Sequence, residues 1–315
     1  MSMTEAPALR IGYVPEHFSA PLYFATHKLS HPYDLQTFPA GTATLISALQ
    51  DNTIDVAIGL TEGFVNGLAR AKTSGSDAGF SLVGTYVESP LRWAVSTGGT
   101  RTDIATEADP GEWVKSLKGK KIGVSRVGSG SYVMGYVMAD KLGWLDGESK
   151  EPFEVVELGQ FENLRNAVAD GTADFFMWEH FTSKRYFDDG SIKKVGEILT
   201  PWPSWMIAAR SDVEEAKLKT FFERLDQGVQ YFHNKPEESV EYNTKTLTYS
   251  KEDAEEWAKT VQFAPAVEGV KSSVVDETLK VLKKAKVVDD QVKSQGMIRY
   301  EKKESGLLSA ITGSG

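Results

Sequence analysis

Gly128-Ser129-Gly130-Ser131 stands between an apolar run, Lys121 to Ser125, and an amphipathic stretch, Tyr132 to Leu142. Glycines let a backbone come close to a ligand, and the free N–H groups and dipole of a helix start favour an anion or a carbonyl there. Ser129 and Ser131 add hydroxyls. Gly41-Thr42-Ala43-Thr44 offers a second helix start of the same kind. Ordinary N-capping explains both segments equally well, so cap and ligand contact stay open. Neither is a phosphate-binding loop: the G-x-x-x-x-G-K-[ST] pattern is absent, and G-S-G-S is too short for the dinucleotide fingerprint.

Glu62 and Glu179 each follow a short apolar run (Asp55 to Gly59 and Asp174 to Met177). A carboxylate there can accept from an amine, an amidine or an aminopyrimidine; a solvated loop acid or an N-cap is the plainer reading. The two could also serve as general acid and base, but nothing in the spacing sets their separation. Phe18, Trp93, Tyr132, Trp178, Trp202 and Trp205 are candidate stacking platforms, with core packing as the alternative. His17 and His180 sit beside strand-like runs and could hydrogen-bond a ligand. His27 and His31 are four residues apart, but Pro32 makes a shared metal face doubtful, and no H-E-x-x-H occurs. No G-x-S-x-G elbow supports a serine hydrolase. No catalytic residue, metal site or cofactor is therefore assigned.

These residues need strands and helices to place them. Leu9 to Val14, Tyr33 to Phe38, Asp55 to Gly59 and Phe80 to Val87 read as strands. Helices from Phe18 to Leu29, from Thr42, and from Thr61 to Ala71 fall between them. This alternation predicts a mainly parallel α/β sheet. After a strand at Leu91 to Ser96 and a polar loop to Pro110, the pattern restarts at Lys121, with strands at Phe153 to Leu158 and Asp174 to Met177. ALQDNTIDVAI (48–58) is echoed by AVADGTADFFM (167–177), which points to two similar α/β halves. From Ser211 the chain becomes helical. Leu218, Phe221, Phe222, Leu225, Val229 and Phe232 mark one amphipathic helix, and Thr278 to Lys286 another. In open α/β sheets, ligands sit beyond the carboxyl ends of the strands. That rule singles out Pro15, Glu16, His17, Phe18, Gly41, Thr42, Thr44, Leu60, Thr61, Glu62, Ser125, Arg126, Gly128, Ser129, Gly130, Ser131, Tyr132, Trp178, Glu179 and His180.

The 315 residues suffice for two lobes. A net charge of −9 without a basic block argues against nucleic acid. The absence of cysteine excludes disulfides, thiolate catalysis and cysteine-held metals. No apolar run reaches the length of a membrane-spanning helix, and no secretory signal is visible, so a cytoplasmic location is expected, or a periplasmic or extracellular one if a signal has been removed. The tail after Thr312 is expected to be disordered.

The segments RIGYVPEHFSAPLYFA, AGTATLISALQDNTIDVAIGLTEG, KGKKIGVSRVGSGSYVMGYVMADKLGW, NLRNAVADGTADFFMWE and TPWPSWMIAAR together resemble the type II periplasmic-binding-protein-like family, in particular its nitrate, sulfonate and taurine substrate-binding proteins. They are similar too to the related thiamine-pyrimidine synthase group, without that group's cysteine motif. The resemblance implies an α/β, two-lobed type II periplasmic-binding-protein-like fold with a ligand cleft between lobes and a helical C-terminal segment. It implies a discontinuous lobe 1 (9–90 plus 206–311), a lobe 2 (98–200) and hinge crossovers at 91–97 and 201–205. It implies a monomer that closes by a hinge on a small polar, heteroaromatic or anionic metabolite. Trp93 and Trp205 would flank the hinge. If the chain is exported, an ABC-type permease is the implied partner. The alternative is an enzyme of thiamine-pyrimidine-precursor or related metabolism using the same cleft. An effector-sensing module is a third reading, against which no helix-turn-helix precedes residue 9.

Overall fold

The computed structural model describes residues 8–108, 111–145 and 151–303. The N-terminal segment read for a signal, Pro110, the end of the C-terminal segment (304–311) and the tail expected to be disordered lie outside the described residues.

The elements run β1 (Arg10–Tyr13), a 3-10 turn (His17–Ser19), α1 (Ala20–His27), β2 (Asp34–Thr37), α2 (Thr42–Gln50), β3 (Val56–Leu60), α3 (Thr61–Ser74) and β4 (Phe80–Val87). The chain then crosses to β5 (Arg92–Gly98), α4 (Glu112–Leu117), β6 (Lys121–Val124), α5 (Gly130–Lys141), β7 (Glu154–Glu157), α6 (Phe161–Asp170), β8 (Phe175–Glu179), α7 (His180–Asp188) and β9 (Ile192–Leu199). It returns as β10 (Trp205–Arg210) and ends in α8 (Glu215–Asn234), α9 (Pro236–Lys245), α10 (Lys251–Thr260) and α11 (Ser272–Lys284).

Two five-stranded sheets result, ordered β2-β1-β3-β10-β4 and β7-β6-β8-β5-β9. They are one topology built twice. In each, the fourth strand comes from across the molecule and runs antiparallel to both neighbours. The sheets are therefore mixed rather than mainly parallel. The echo at 48–58 and 167–177 has a local cause. Asp55 accepts the backbone N–H of Arg10, the first residue of β1, at 2.9 Å, and Asp174 accepts that of Lys121, the first residue of β6, at 2.8 Å. The turn before each aspartate needs a left-handed residue, supplied by Asn52 (φ 58°) and Gly171 (φ 86°).

Pro21 falls in the first turn of α1, where its missing N–H is harmless. The helix expected from Thr278 begins six residues earlier, at Ser272. The helical tail packs on the first sheet. α8 lies against α1, and the 263–269 segment runs along β4, with Thr85 donating to the carbonyl of Val267 at 3.0 Å. Gly84 makes that approach possible, since a Cβ there would lie 2.3 Å from the Val267 oxygen. The two crossovers run side by side: Leu91 donates to Thr200 Oγ1 at 2.9 Å, and Ser204 Oγ donates to the carbonyl of Ser89 at 2.7 Å.

Candidate functional site

The carboxyl ends of both sheets face one another across a cavity of about 90 Å³. Val14, Glu16, Ala40, Thr42, Leu60, Gly63 and Trp205 line it from the first sheet and its helices. Leu91, Trp93, Ser125, Arg126, Gly128, Ser129, Gly130, Ser131, Trp178 and Glu179 line it from the second half and the first crossover. It adjoins a wider groove bounded by Phe161, Arg185 and Tyr249 and sharing Val14, Glu16 and Trp178 with the cavity.

Several helix starts meet here. Ser129 is the N-cap of α5, its Oγ accepting from Tyr132 N at 3.4 Å. That Oγ also donates to the Arg126 carbonyl at 2.7 Å and lies 3.0 Å from Ser131 Oγ, which in turn accepts from Ser125 N at 3.1 Å. The serine hydroxyls are thus engaged in holding their own loop. What α5 leaves available are the N–H groups of Gly130 and Ser131, which have no acceptor among the described residues. A side chain on Gly130 would meet the Trp93 ring at 2.8 Å, so the backbone stands directly against that indole. Thr42 Oγ1 ties α2 to the end of β3 by accepting from Leu60 N at 2.9 Å.

Trp93 (4% exposed, on β5) and Trp205 (2% exposed, on β10) enter the wall from different sheets. The indole N–H of each is buried without a partner among the described residues. Trp178 stacks on Phe161 with centroids 4.9 Å apart.

Glu179 is the N-cap of α7, accepting from Thr182 N at 2.7 Å. Burial pushes its carboxyl up to about 7, against the opposing effect of those amide hydrogen bonds. Its other oxygen stands 3.8 Å from Nε2 of His17. Glu16 has no side-chain partner among the described residues; burial first, and the nearby Glu179 charge second, push it up to about 8.

The strand-end rule brings Thr42, Ser125, Gly128, Ser129, Gly130, Ser131, Trp178 and Glu179 together, and Trp93 and Trp205 join them. Five candidates stand behind the wall instead. His17 is 1% exposed; its Nδ1 meets Tyr249 Oη at 2.8 Å, and burial holds its pKa well below the usual histidine value. Phe18 packs on Trp205 and Trp257. Thr61 donates its hydroxyl to the Pro203 carbonyl. Tyr132 donates to the carbonyl of Ala285 at 3.3 Å. Glu62 is held by Trp202, whose Nε1 donates to it at 3.1 Å, while its Oε1 is buried and unpartnered against Gly130; burial pushes this carboxyl up to about 7. His180 is pushed down to about 4, by burial first and then by the Arg92 charge. Glu16 and Arg126 belong to the strand-end set but carried no assigned role. Leu60 also belongs to the strand-end set; Tyr249 and the apolar walls Val14 and Leu91 gave no such signal.

Among the described residues no group of acidic, histidine or cysteine side chains could hold a metal ion, and no helix is long and apolar enough to cross a membrane.

A model of the Ca3427-like PBP family matches residues 93–198. The full chain is similar to the Candida albicans CA3427 gene product, described as defining a new family with the generic periplasmic binding protein fold. Identity is 36% over 96% of this chain and 100% of that one, with a TM-score of 0.80. The alkanesulfonate-binding protein SsuA of Xanthomonas axonopodis pv. citri, bound to MOPS, is 18% identical over 94% of this chain and 99% of its own, with a TM-score of 0.72. The periplasmic nitrate-binding protein NrtA of Synechocystis PCC 6803 is 14% identical over 91% and 84%, with a TM-score of 0.69. These two share the fold. No curated protein matches the sequence. With two sheets of one topology, a cleft between them and this identity over the whole of its Candida relative, the chain belongs to the Ca3427-like family of proteins with the type II periplasmic-binding-protein fold.

Proposed function

We propose that this chain is a binding protein for a small polar metabolite, held between lobe 1 (9–90 with 206 onward) and lobe 2 (98–200). The lobes close about the crossovers at 91–97 and 201–205. The observation that carries this reading is the pair of indole N–H groups of Trp93 and Trp205. They lie one in each sheet, both buried in the cavity wall and both without an acceptor among the described residues. A buried donor left unpaired costs about 1–3 kcal/mol. A ligand that accepts from both would remove that cost and bridge the two halves. Neighbours of the same fold are named as sulfonate- and nitrate-binding proteins, which fits a retained solute better than a turned-over one. If the chain is exported, the solute passes to an ABC-type permease.

The test is thermal unfolding against a metabolite panel covering pyrimidines, thiamine precursors, sulfonates, nitrate, amino acids and polyamines. A ligand at a hundred times its Kd stabilises by about 2.7 kcal/mol. Trp93→Phe and Trp205→Phe should each cut that shift, while in the free protein the lost indole packing is offset in part by removal of an unpaired buried N–H. Absence of any shift, together with no small molecule released from the denatured protein in a mass spectrum, would overturn the reading.

A further inference from the structure

The cavity holds unpaired charge of both signs. The Glu16 carboxylate, partly exposed where cavity and groove meet, has neither a hydrogen bond nor an ion pair among the described residues. Glu179 beside it accepts from the amide of Thr182 and stands near the ring of His17, which burial keeps neutral, while the Arg92 charge acts on it from farther off. Among the described residues no lysine or arginine forms an ion pair within 4.0 Å of either acid. Arg126, exposed on its outer side, lines the same cavity at the start of α5 and has no acidic partner among the described residues. Burial first, and then the charge of Arg70 on α3, lowers its pKa. Pairing Arg126 with Glu16 would relieve both the effect of Arg70 on Arg126 and that of Glu179 on Glu16. The fold keeps them apart across the cavity.

We propose that the ligand of this cleft is a zwitterion, with a cationic nitrogen against Glu16 and Glu179 and an anionic group at Arg126 and the free amides of Gly130 and Ser131. The proposal rests on the cleft-binding reading and narrows it. A cation between the acids removes their mutual repulsion, and an anion between Arg126 and the helix start is favoured by both the charge and the dipole. A simple anion, by contrast, must enter beside two carboxyls, and a simple amine must enter beside a guanidinium and a helix N-terminus. Burial, with the added effect of Glu179 on Glu16, raises both acids toward neutrality; at Glu179 amide hydrogen bonds and the Arg92 charge oppose that shift only in part.

Two charge triads of matched shape test this at pH 8: 4-aminobutyrate, butyrate and butylamine; and 4-(aminomethyl)benzoate, benzoate and benzylamine. Titration calorimetry on the full chain should show the zwitterion of at least one triad binding about tenfold or more tighter than its singly charged relatives. Glu16→Gln should erase its advantage over the anion, and Arg126→Met its advantage over the amine. Both side chains reach solvent or the cavity, so both variants should retain wild-type circular dichroism. An anion or amine that binds as tightly as its zwitterion, an advantage that survives Glu16→Gln, or binding by none of the six would overturn the proposal. The cavity-filling variant Ala40→Trp keeps the two readings separable. A singly charged solute whose binding Ala40→Trp abolishes leaves cleft binding standing and removes the zwitterion. A metabolite panel with no hit sensitive to Ala40→Trp removes cleft binding itself.

Discussion

Glu62 shows how one side chain can record the state of the whole cleft. It is 1% exposed, tied to Trp202 by one oxygen and facing Gly130 with the other. Burial raises its pKa from 4.5 to about 7. Between those values the folded chain keeps a proton that the unfolded chain has released, so raising the pH favours unfolding. This contribution to stability falls from about pH 4.5 to 7 and is flat above. Glu62→Gln keeps an acceptor for Trp202 and carries no charge. The variant's stability relative to wild type should therefore climb from near zero at pH 4.5 to as much as about 3 kcal/mol at pH 8. His17 and His180, whose lowered values act in the opposite sense, are present in both proteins and cancel in the difference. Urea unfolding across that pH range measures it. An offset that does not change with pH would mean that Glu62 is ionised and solvated in the folded chain, and hence that the cleft stands open.

At the scale of elements, the start of α5 is where loop and site are the same object. Ser129 caps the helix, bonds the Arg126 carbonyl and supports Ser131. Ser129→Ala should cost about 1 kcal/mol as a lost N-cap. It should also loosen the Gly130 and Ser131 amides, so ligand affinity should fall with stability; a variant that loses stability and keeps affinity would make the serine a cap alone. This element was legible in the sequence as a helix start because a Gly-Ser loop follows an apolar run and precedes an amphipathic one, and Thr42, Trp178 and Glu179 followed from the same strand-end rule. The N-cap and ligand-contact readings of Ser129 were not alternatives: the hydroxyl caps, and the amides beyond it are left free. β9 was not legible. Its sequence IKKVGEIL is an edge strand with two lysines, and the buried residues Ile192, Val195 and Gly196 follow no period of two. Nor was the antiparallel place of β10 between β3 and β4, since an apolar run says nothing of its neighbours. His17, Phe18 and Tyr132 fell behind the wall because the C-terminal segment supplies Tyr249, Trp257 and Ala285 to cover them. Those contacts span more than 150 positions of chain.

For the whole molecule, the question is what holds the halves together when the cleft is empty. The buried contact is Asn66 Nδ2 donating to the Gly128 carbonyl at 3.0 Å, with Tyr132 on Ala285 beside it. The charged contacts Arg92 with Glu256 at 3.3 Å, Lys286 with Glu151 at 2.8 Å and Lys284 with Asp140 at 2.6 Å lie on the rim with at least one exposed partner each, and Lys184 stands 3.9 Å from the buried Asp253. Exposed pairs of this kind contribute little. Against closure stand the Arg70–Arg126 repulsion and the unpartnered Glu62 oxygen. On the proposed reading the balance should be close, because a closed state too stable without ligand would leave ligand nothing to select. Asn66→Ala removes the buried latch on Gly128 while leaving every side chain that lines the cavity in place. A compact chain of this length has a radius of gyration of about 20 Å. Small-angle scattering should show the ligand-free variant expanded relative to wild type, with saturating ligand returning both to one value. Equal radii in the absence of ligand would place the latch elsewhere, in the paired crossovers at Leu91–Thr200 and Ser89–Ser204, and would make the closed form an intrinsic property of the hinge rather than of the cleft.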